Sequence, residues 1–173
     1  MVGDPFETLG LPADFRLSRE AVERAYLERS KAVHPDLAAG KDDAARLMAD
    51  LNMARRLLLN PESRAEVLLS RLGGPAAAEE RSLPPGFLAE MMEVREQIEA
   101  SMAESPDRAR NTWDTWSSRE RSRAIEEVAA LFDHLGSSAS RPRQEVLREV
   151  RVRLNAWRYI ERLIEQLDPG ASR

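Results

Sequence analysis

The sequence predicts an all-α protein, and three observations carry that expectation. Helix formers dominate, with Ala, Leu, Glu and Arg abundant. β-branched residues never alternate with polar ones over a strand-length window. Apolar residues instead recur at steps of three and four, most regularly in Val146, Val150, Leu154, Trp157, Ile160, Ile164 and Leu167.

Taken in order, "DPFETLGLP" predicts a short helix around residues 4–9, with Gly10 as its C-terminal cap and Pro12 barring continuation. Ser18 is an N-cap for a second helix that runs to about Val33, with Val22, Tyr26 and Val33 on a buried stripe. Pro35 ends it, because the residue before a proline is pushed out of the α region. A third helix starts at Asp42 or Asp43, whose charges suit the positive end of its dipole, and stops before Pro61. Its stripe is Leu47, Met48, Leu51, Ala54, Leu57 and Leu58. A fourth, "ESRAEVLLSRL", ends at Gly73.

Residues 73–86, "GGPAAAEERSLPPG", have glycines and prolines at both ends and no apolar periodicity beyond small alanines. They divide the chain into residues 1–72, a linker at 73–86, and residues 87–168. Beyond the linker, "FLAEMMEVREQIEASMA" forms one helix. Ser105-Pro106 starts the next, which carries Trp113, Trp116, Ile125, Val128, Phe132 and Leu135 and closes at Gly136; "DTWSS" could bend it midway. The last runs from about Pro142 to Leu167. Three long amphipathic helices with short connections bury one another's stripes as an antiparallel three-helix bundle.

Composition narrows the function. The 173 residues carry a net charge of −4, with 42% hydrophobic and 32% charged residues. An isoelectric point near 5.4 argues against nucleic acid as a partner, which would need a clustered basic surface. No apolar run approaches the roughly 18–20 residues of a membrane span, so no membrane partner is expected. The amino terminus has neither a basic head nor an apolar core, and there is no cysteine for a disulfide, a thiolate metal site or a nucleophile. The expectation is a cytoplasmic protein.

One short string stands out. "KAVHPDLAAGK" places His34, Pro35 and Asp36 together at a helix end. On its own, His34 reads first as a solvated helix cap, with Pro35 as a stop signal. His34 and Asp36 are also spaced like part of a metal or acid–base site, but no third ligand is apparent. His134, in "FDHLG", reads as a helix cap in the other domain. No Gly-rich phosphate loop, HExxH string or Ser–His–Asp arrangement occurs. No enzymatic activity, catalytic residue, metal ligand or cofactor is therefore expected.

With its flanking helices, the string resembles the J domain of DnaJ-type proteins. The resemblance rests on "AY" at 25–26, "HPD" at 34–36 and "LNMARRLLLNPESRAEVL" at 51–68. "FETLGLPADFRLS", "RAEVLLSRLGG" and "FLAEMMEVREQIE" further resemble the HscB-type co-chaperones of iron–sulfur cluster assembly, in which a J domain (a helical hairpin with an HPD loop) precedes a three-helix bundle. The resemblance implies a binding protein. Its HPD loop and a basic helix face would dock on a heat-shock ATPase chaperone of the HscA or DnaK class and accelerate ATP hydrolysis. Its bundle would hold the cluster scaffold protein, IscU-like. The implied chaperone-binding residues are His34, Pro35 and Asp36, with Arg24 and Lys31 chosen as the exposed basic face; those two also read as merely solvated charges. The implied scaffold-binding residues are Leu88, Met92, Glu93 and Glu96, with Trp157 as the aromatic on the last helix. Leu88 and Met92 read equally as core or as surface.

The chain departs from the family pattern in several places. Leu37 stands where a lysine is usual and Arg29 where a leucine is usual. Ala89 and Ala100 replace larger or acidic residues, and Ala156 takes the approximate place of an aromatic. The four-cysteine metal module of some members is not expected. The altered strip keeps a second function open, a general J-domain adaptor that recruits the housekeeping chaperone to a different client.

Overall fold

The computed structural model describes residues 3–33, 41–136 and 141–167; His34, Pro35, Asp36 and Leu37 lie outside them. Among the described residues the protein is all-α. The helices are α1 (Pro5–Leu9), α2 (Arg19–Ala32), α3 (Lys41–Leu59), α4 (Pro61–Arg71), α5 (Phe87–Glu104), α6 (Pro106–Gly136) and α7 (Arg143–Leu167). The chain divides into two units, Met1–Arg71 and Leu72–Arg173.

Local chemistry sets the ends of the helices in the first unit. Asp4 caps α1, accepting from the Phe6 amide at 2.8 Å, and Ser18 caps α2, accepting from the Ala21 amide at 3.1 Å. Gly10 ends α1 in the left-handed conformation at φ 67°, where a Cβ would also collide with the Arg29 guanidinium. Arg29 thus keeps its head at the surface, over the α1 cap. Asn60 accepts from the Ser63 amide at 2.8 Å, and Pro61 opens α4 at the position where a missing N–H costs nothing.

α2 and α3 form an antiparallel hairpin. Glu23 of α2 accepts two hydrogen bonds from Arg55 of α3 at 2.7 and 2.8 Å. Three residues further along α2, Tyr26 donates to Asn52, three residues back along α3, at 2.7 Å. α1 packs across both helices and α4 packs on α3. Phe6, Leu9, Val22, Leu58 and Leu69 fill this core at 2% exposure or less, each worth about 1.5–3 kcal/mol of burial. Buried Arg64 bridges the C-terminal end of α3 to the loop before α2, donating to the carbonyls of Leu58 at 2.8 Å and Leu17 at 3.1 Å. Desolvation holds its guanidinium below the ordinary arginine value.

Val33, expected on the buried stripe, caps α2 and is only partly buried, and two further expectations for this unit change. Tyr26 is only partly buried, because its phenol reaches out to Asn52 and its ring lies under the Arg55 guanidinium. Leu47, expected on the α3 stripe, is 50% exposed.

The second unit is a bundle of α5, α6 and α7. α5 and α6 meet at the single residue Ser105, whose extended backbone ends one helix before Pro106 opens the next. Arg121 pairs with Glu161 at 2.8 Å, and Glu127, further along α6, pairs with Arg153, earlier on α7, at 3.2 Å, so these helices run antiparallel. Val128, Val146, Leu147, Val150 and Leu154 form the interior at 1% exposure or less. Phe87 and Met91 of α5 pack with Trp113 of α6 and with Ala156, Ile160, Leu163 and Ile164 of α7. α6 stays helical through Asp114–Ser118 without a break: the Thr115 and Ser117 hydroxyls donate to the carbonyls of Asn111 and Asp114, within the helix.

Residues 75–82 are fastened to α7. Arg151 donates to the Pro75 carbonyl at 2.9 Å, Arg148 pairs with Glu80 at 3.0 Å, and Asn155 donates to the carbonyls of Glu80 and Ser82 at 3.0 and 3.1 Å. Arg148, Arg151 and Asn155 recur at helical spacing, so one face of α7 carries all three.

Candidate functional site

α2 leads directly into the HPD segment. It buries Val22 completely and presents Arg24 and Lys31 to solvent. Between them on the same face lies Leu27, 55% exposed. The face is therefore an apolar centre between two cations. The Arg55–Glu23 pair flanks this face, Glu23 one turn before Leu27, and holds α2 to α3. Arg55 keeps the Glu23 carboxyl below the ordinary carboxylate value, chiefly through their hydrogen bond.

α5 shows two faces one residue out of phase. Phe87 and Met91 are buried at 8% and 3%, while their neighbours Leu88 and Met92 are 51% and 62% exposed. Leu88, Met92 and Glu96 share the outward face by their i, i+4, i+8 spacing, with Glu93 exposed at its side. Arg95 crosses the same face and donates to Glu99 at 2.8 Å. That bond, with a smaller contribution from the Tyr159 phenol, holds the Arg95 guanidinium above its ordinary value.

Trp157 lies in the bundle interior at 3% exposure, its indole N–H donating to Glu161 at 3.1 Å, and Ala156 beside it is buried too. The aromatic that α7 offers to solvent is Tyr159, 37% exposed, whose ring meets Phe87 edge-on at 5.5 Å. Tyr159 thus borders the Leu88–Met92–Arg95 face. Sequence reasoning missed it and Leu27 for one reason: both fall outside the apolar three-and-four stripes of their helices. His134 sits in the last turn of α6, with Nδ1 2.7 Å from the Ala130 carbonyl. Among the described residues no cluster of His, Cys, Asp or Glu could hold a metal ion, and no helix is long and apolar enough to cross a membrane.

Comparison with known proteins matches the two parts of the chain to two known modules. Residues 4–67 match the DnaJ domain, and residues 83–168 match the HSCB C-terminal oligomerisation domain. The Co-chaperone protein HscB homolog of Vibrio cholerae is 38% identical over 117 residues, which cover 64% of this chain and 68% of the relative. The chain belongs to the HscB co-chaperone family. The homologue of Vibrio campbellii is 37% identical over 108 residues, 59% of this chain and 63% of the relative. That of Vibrio vulnificus is 39% identical over 100 residues, 54% and 58% respectively, so these two matches span less than two thirds of the relatives' length.

The fold extends over more of the HscB proteins than the sequence match does. Chaperone HscB from Vibrio cholerae superposes with a TM-score of 0.62 at 27% identity, covering 95% of this chain and 99% of that one. Human co-chaperone protein HscB superposes with a TM-score of 0.73 at 22% identity, covering 95% and 80%. An all-α J domain followed by an HscB-type helical domain is thus the architecture of this chain.

Proposed function

We propose that this chain is a co-chaperone that joins a heat-shock ATPase chaperone of the HscA or DnaK class to an iron–sulfur cluster scaffold protein. Membership of the HscB family and two chemically different exposed faces support this reading. His34, Pro35 and Asp36, with Arg24 and Lys31 on α2, engage the ATPase and accelerate its hydrolysis of ATP. Pro35 fixes the backbone of the loop, Asp36 offers an acceptor to an arginine or to backbone donors, and His34 supplies a polar aromatic contact. The chain itself performs no bond chemistry and needs no cofactor. It acts in the cytoplasm.

The scaffold is held by Leu88 and Met92, rimmed by Glu93 and Glu96, with Tyr159 beside them and Trp157 supporting α7 from inside. The observation that carries this is the exposure of Leu88 and Met92 on a helix whose neighbouring large apolar residues, Phe87 and Met91, turn inward. Adjacent exposed apolar side chains with a charged rim form the usual anatomy of a docking patch. Methionine, unbranched and polarizable, suits a partner surface that must adapt. The smaller Ala89 and Ala100 shorten the strip at its edges.

ATP hydrolysis by the heat-shock ATPase, measured with this chain alone, with the scaffold alone and with both, tests the reading. More-than-additive stimulation is expected when both are present. Stimulation by the chain with no gain from the scaffold would overturn scaffold delivery and favour the second reading, an adaptor bringing the housekeeping chaperone to a different client.

A further inference from the structure

The stretch that follows α4 is held to the second unit along most of its length. Helix α4 ends at Arg71, and the first tie to α7 falls at Pro75, whose carbonyl accepts from Arg151 at 2.9 Å. Arg148 and Asn155 then hold Glu80 and Ser82, and Leu83 packs against the core formed by α5, α6 and α7. The stretch also keeps a shape of its own. The Glu79 and Glu80 amides donate to the Ala76 carbonyl at 3.0 and 3.1 Å, and the Ala76 amide donates to the Glu79 carboxylate at 2.8 Å. The Glu80 carboxylate divides its oxygens, one accepting from the Ser82 amide at 3.0 Å and the other facing Arg148 at 3.0 Å. Residues 75–82 are a folded strap, not a flexible linker.

The ties are of a kind that resists opening. Arg151 is 3% exposed, and a buried guanidinium is costly unless it is hydrogen-bonded, so lifting Pro75 away would take a bonded acceptor from a buried cation. The carbonyls of Pro75, Glu80 and Ser82 lie outside any helix, and each finds a donor on α7. Leu72, Gly73 and Gly74 stand between α4 and the first tie. Gly73 takes φ 77°, with nothing within 4 Å of the place a Cβ would occupy. Three residues reach at most about 10 Å, whereas residues 72–82 with the ties undone would reach roughly 40 Å.

We propose that Arg148, Arg151 and Asn155 are positioning residues for delivery: by fastening residues 75–82 to α7 they shorten the working tether between the two units from 72–82 to 72–74. The inference rests on the co-chaperone reading, in which one unit engages the ATPase and the other holds the scaffold. A shorter tether raises the effective concentration of the held scaffold at the ATPase.

The chain has no cysteine, so spin labels at Ala49→Cys on α3 and Ser118→Cys on α6, both exposed, report the distance between the units by double electron–electron resonance on the full chain. Two changes are made in that background. Arg148→Ala with Arg151→Met and Asn155→Ala releases the strap. Eight residues of Gly-Ser repeat inserted between Gly73 and Gly74 lengthen the tether and leave α7 untouched. The spread of an untied tether grows as the square root of its length, so each change is expected to widen the distance distribution roughly twofold. With a strap already open, release would change nothing and the insertion would widen the distribution only about 1.3-fold. Either result would overturn the proposal, and the insertion decides it alone if the release variant fails to fold. In unlabelled chains both changes are expected to cut the more-than-additive ATPase stimulation by chain and scaffold roughly sevenfold, with the affinity for each partner separately unchanged. Undiminished synergy in the widened variants would overturn the delivery role. A parent chain with no synergy would contradict the co-chaperone reading itself, and the distance widths would then decide the strap on their own.

Discussion

The exposed face of α2 and the exposed face of α5 invite different physics. On α2 two cations flank one leucine, and the hairpin beneath is tied by the Glu23–Arg55 and Tyr26–Asn52 hydrogen bonds. On α5 two large apolar side chains are flanked by two carboxylates, and the helix beneath is held by the burial of Phe87 and Met91. A charge-rimmed face orients its partner from a distance and loses that advantage as salt rises. An apolar face works at contact, in proportion to the area it removes from water. In the proposed function the first face serves the ATPase and the second the scaffold.

The sharpest way to break this contrast is to exchange interior for surface. Leu154→Ala, at 1% exposure, should destabilise the bundle by about 2–5 kcal/mol, whereas Leu88→Ala should change stability by less than about 0.5 kcal/mol. Equal losses in urea unfolding would mean that the outward face of α5 is in fact core. Next in size, Leu88→Ala combined with Met92→Ala should weaken scaffold binding roughly ten- to thirtyfold by calorimetry, leaving the melting temperature and the ATPase stimulation by the chain alone unchanged.

Smaller effects belong to the other face. Arg24→Ala and Lys31→Ala should each weaken ATPase docking about two- to fivefold, mainly through the association rate, and flatten its salt dependence. A loss confined to the dissociation rate would contradict a steering role. The smallest change concerns the support beneath. Because Arg55 holds the folded Glu23 carboxyl below its ordinary value of 4.5, the pair's contribution is present above that value and fades as pH falls through the lower folded one. Arg55→Met should therefore make the melting temperature fall less steeply on acidification below pH 4.5 than it does in the parent chain.

How much of this was legible in the sequence depends on the range of the interaction. Ser18, Gly10, Pro61 and Ser105-Pro106 mark helix ends through chemistry within four residues, and the helices end within a residue or two of those marks. The long stripe of α7 was legible because it repeats over most of the helix. The division of labour on α5 was not. Phe87 and Leu88, and Met91 and Met92, are adjacent apolar pairs, and one residue of helical phase, 100°, decides which member is buried. The same ambiguity hid Tyr159 behind Trp157: both are aromatic, and only the packing against α5 and α6 separates the interior ring from the surface one. Long-range polar ties such as Arg151 to Pro75, which fasten a glycine- and proline-bounded stretch onto α7, have no local signature at all.

The central claim, that this chain triggers an ATPase through its HPD loop, is tested most directly by His34→Gln. In single-turnover ATP hydrolysis by the organism's heat-shock ATPase, the parent chain should accelerate turnover and the variant should not, while the variant still binds the scaffold with the parent's affinity. Full stimulation by His34→Gln, or no stimulation by the parent chain of any such ATPase, would contradict the account.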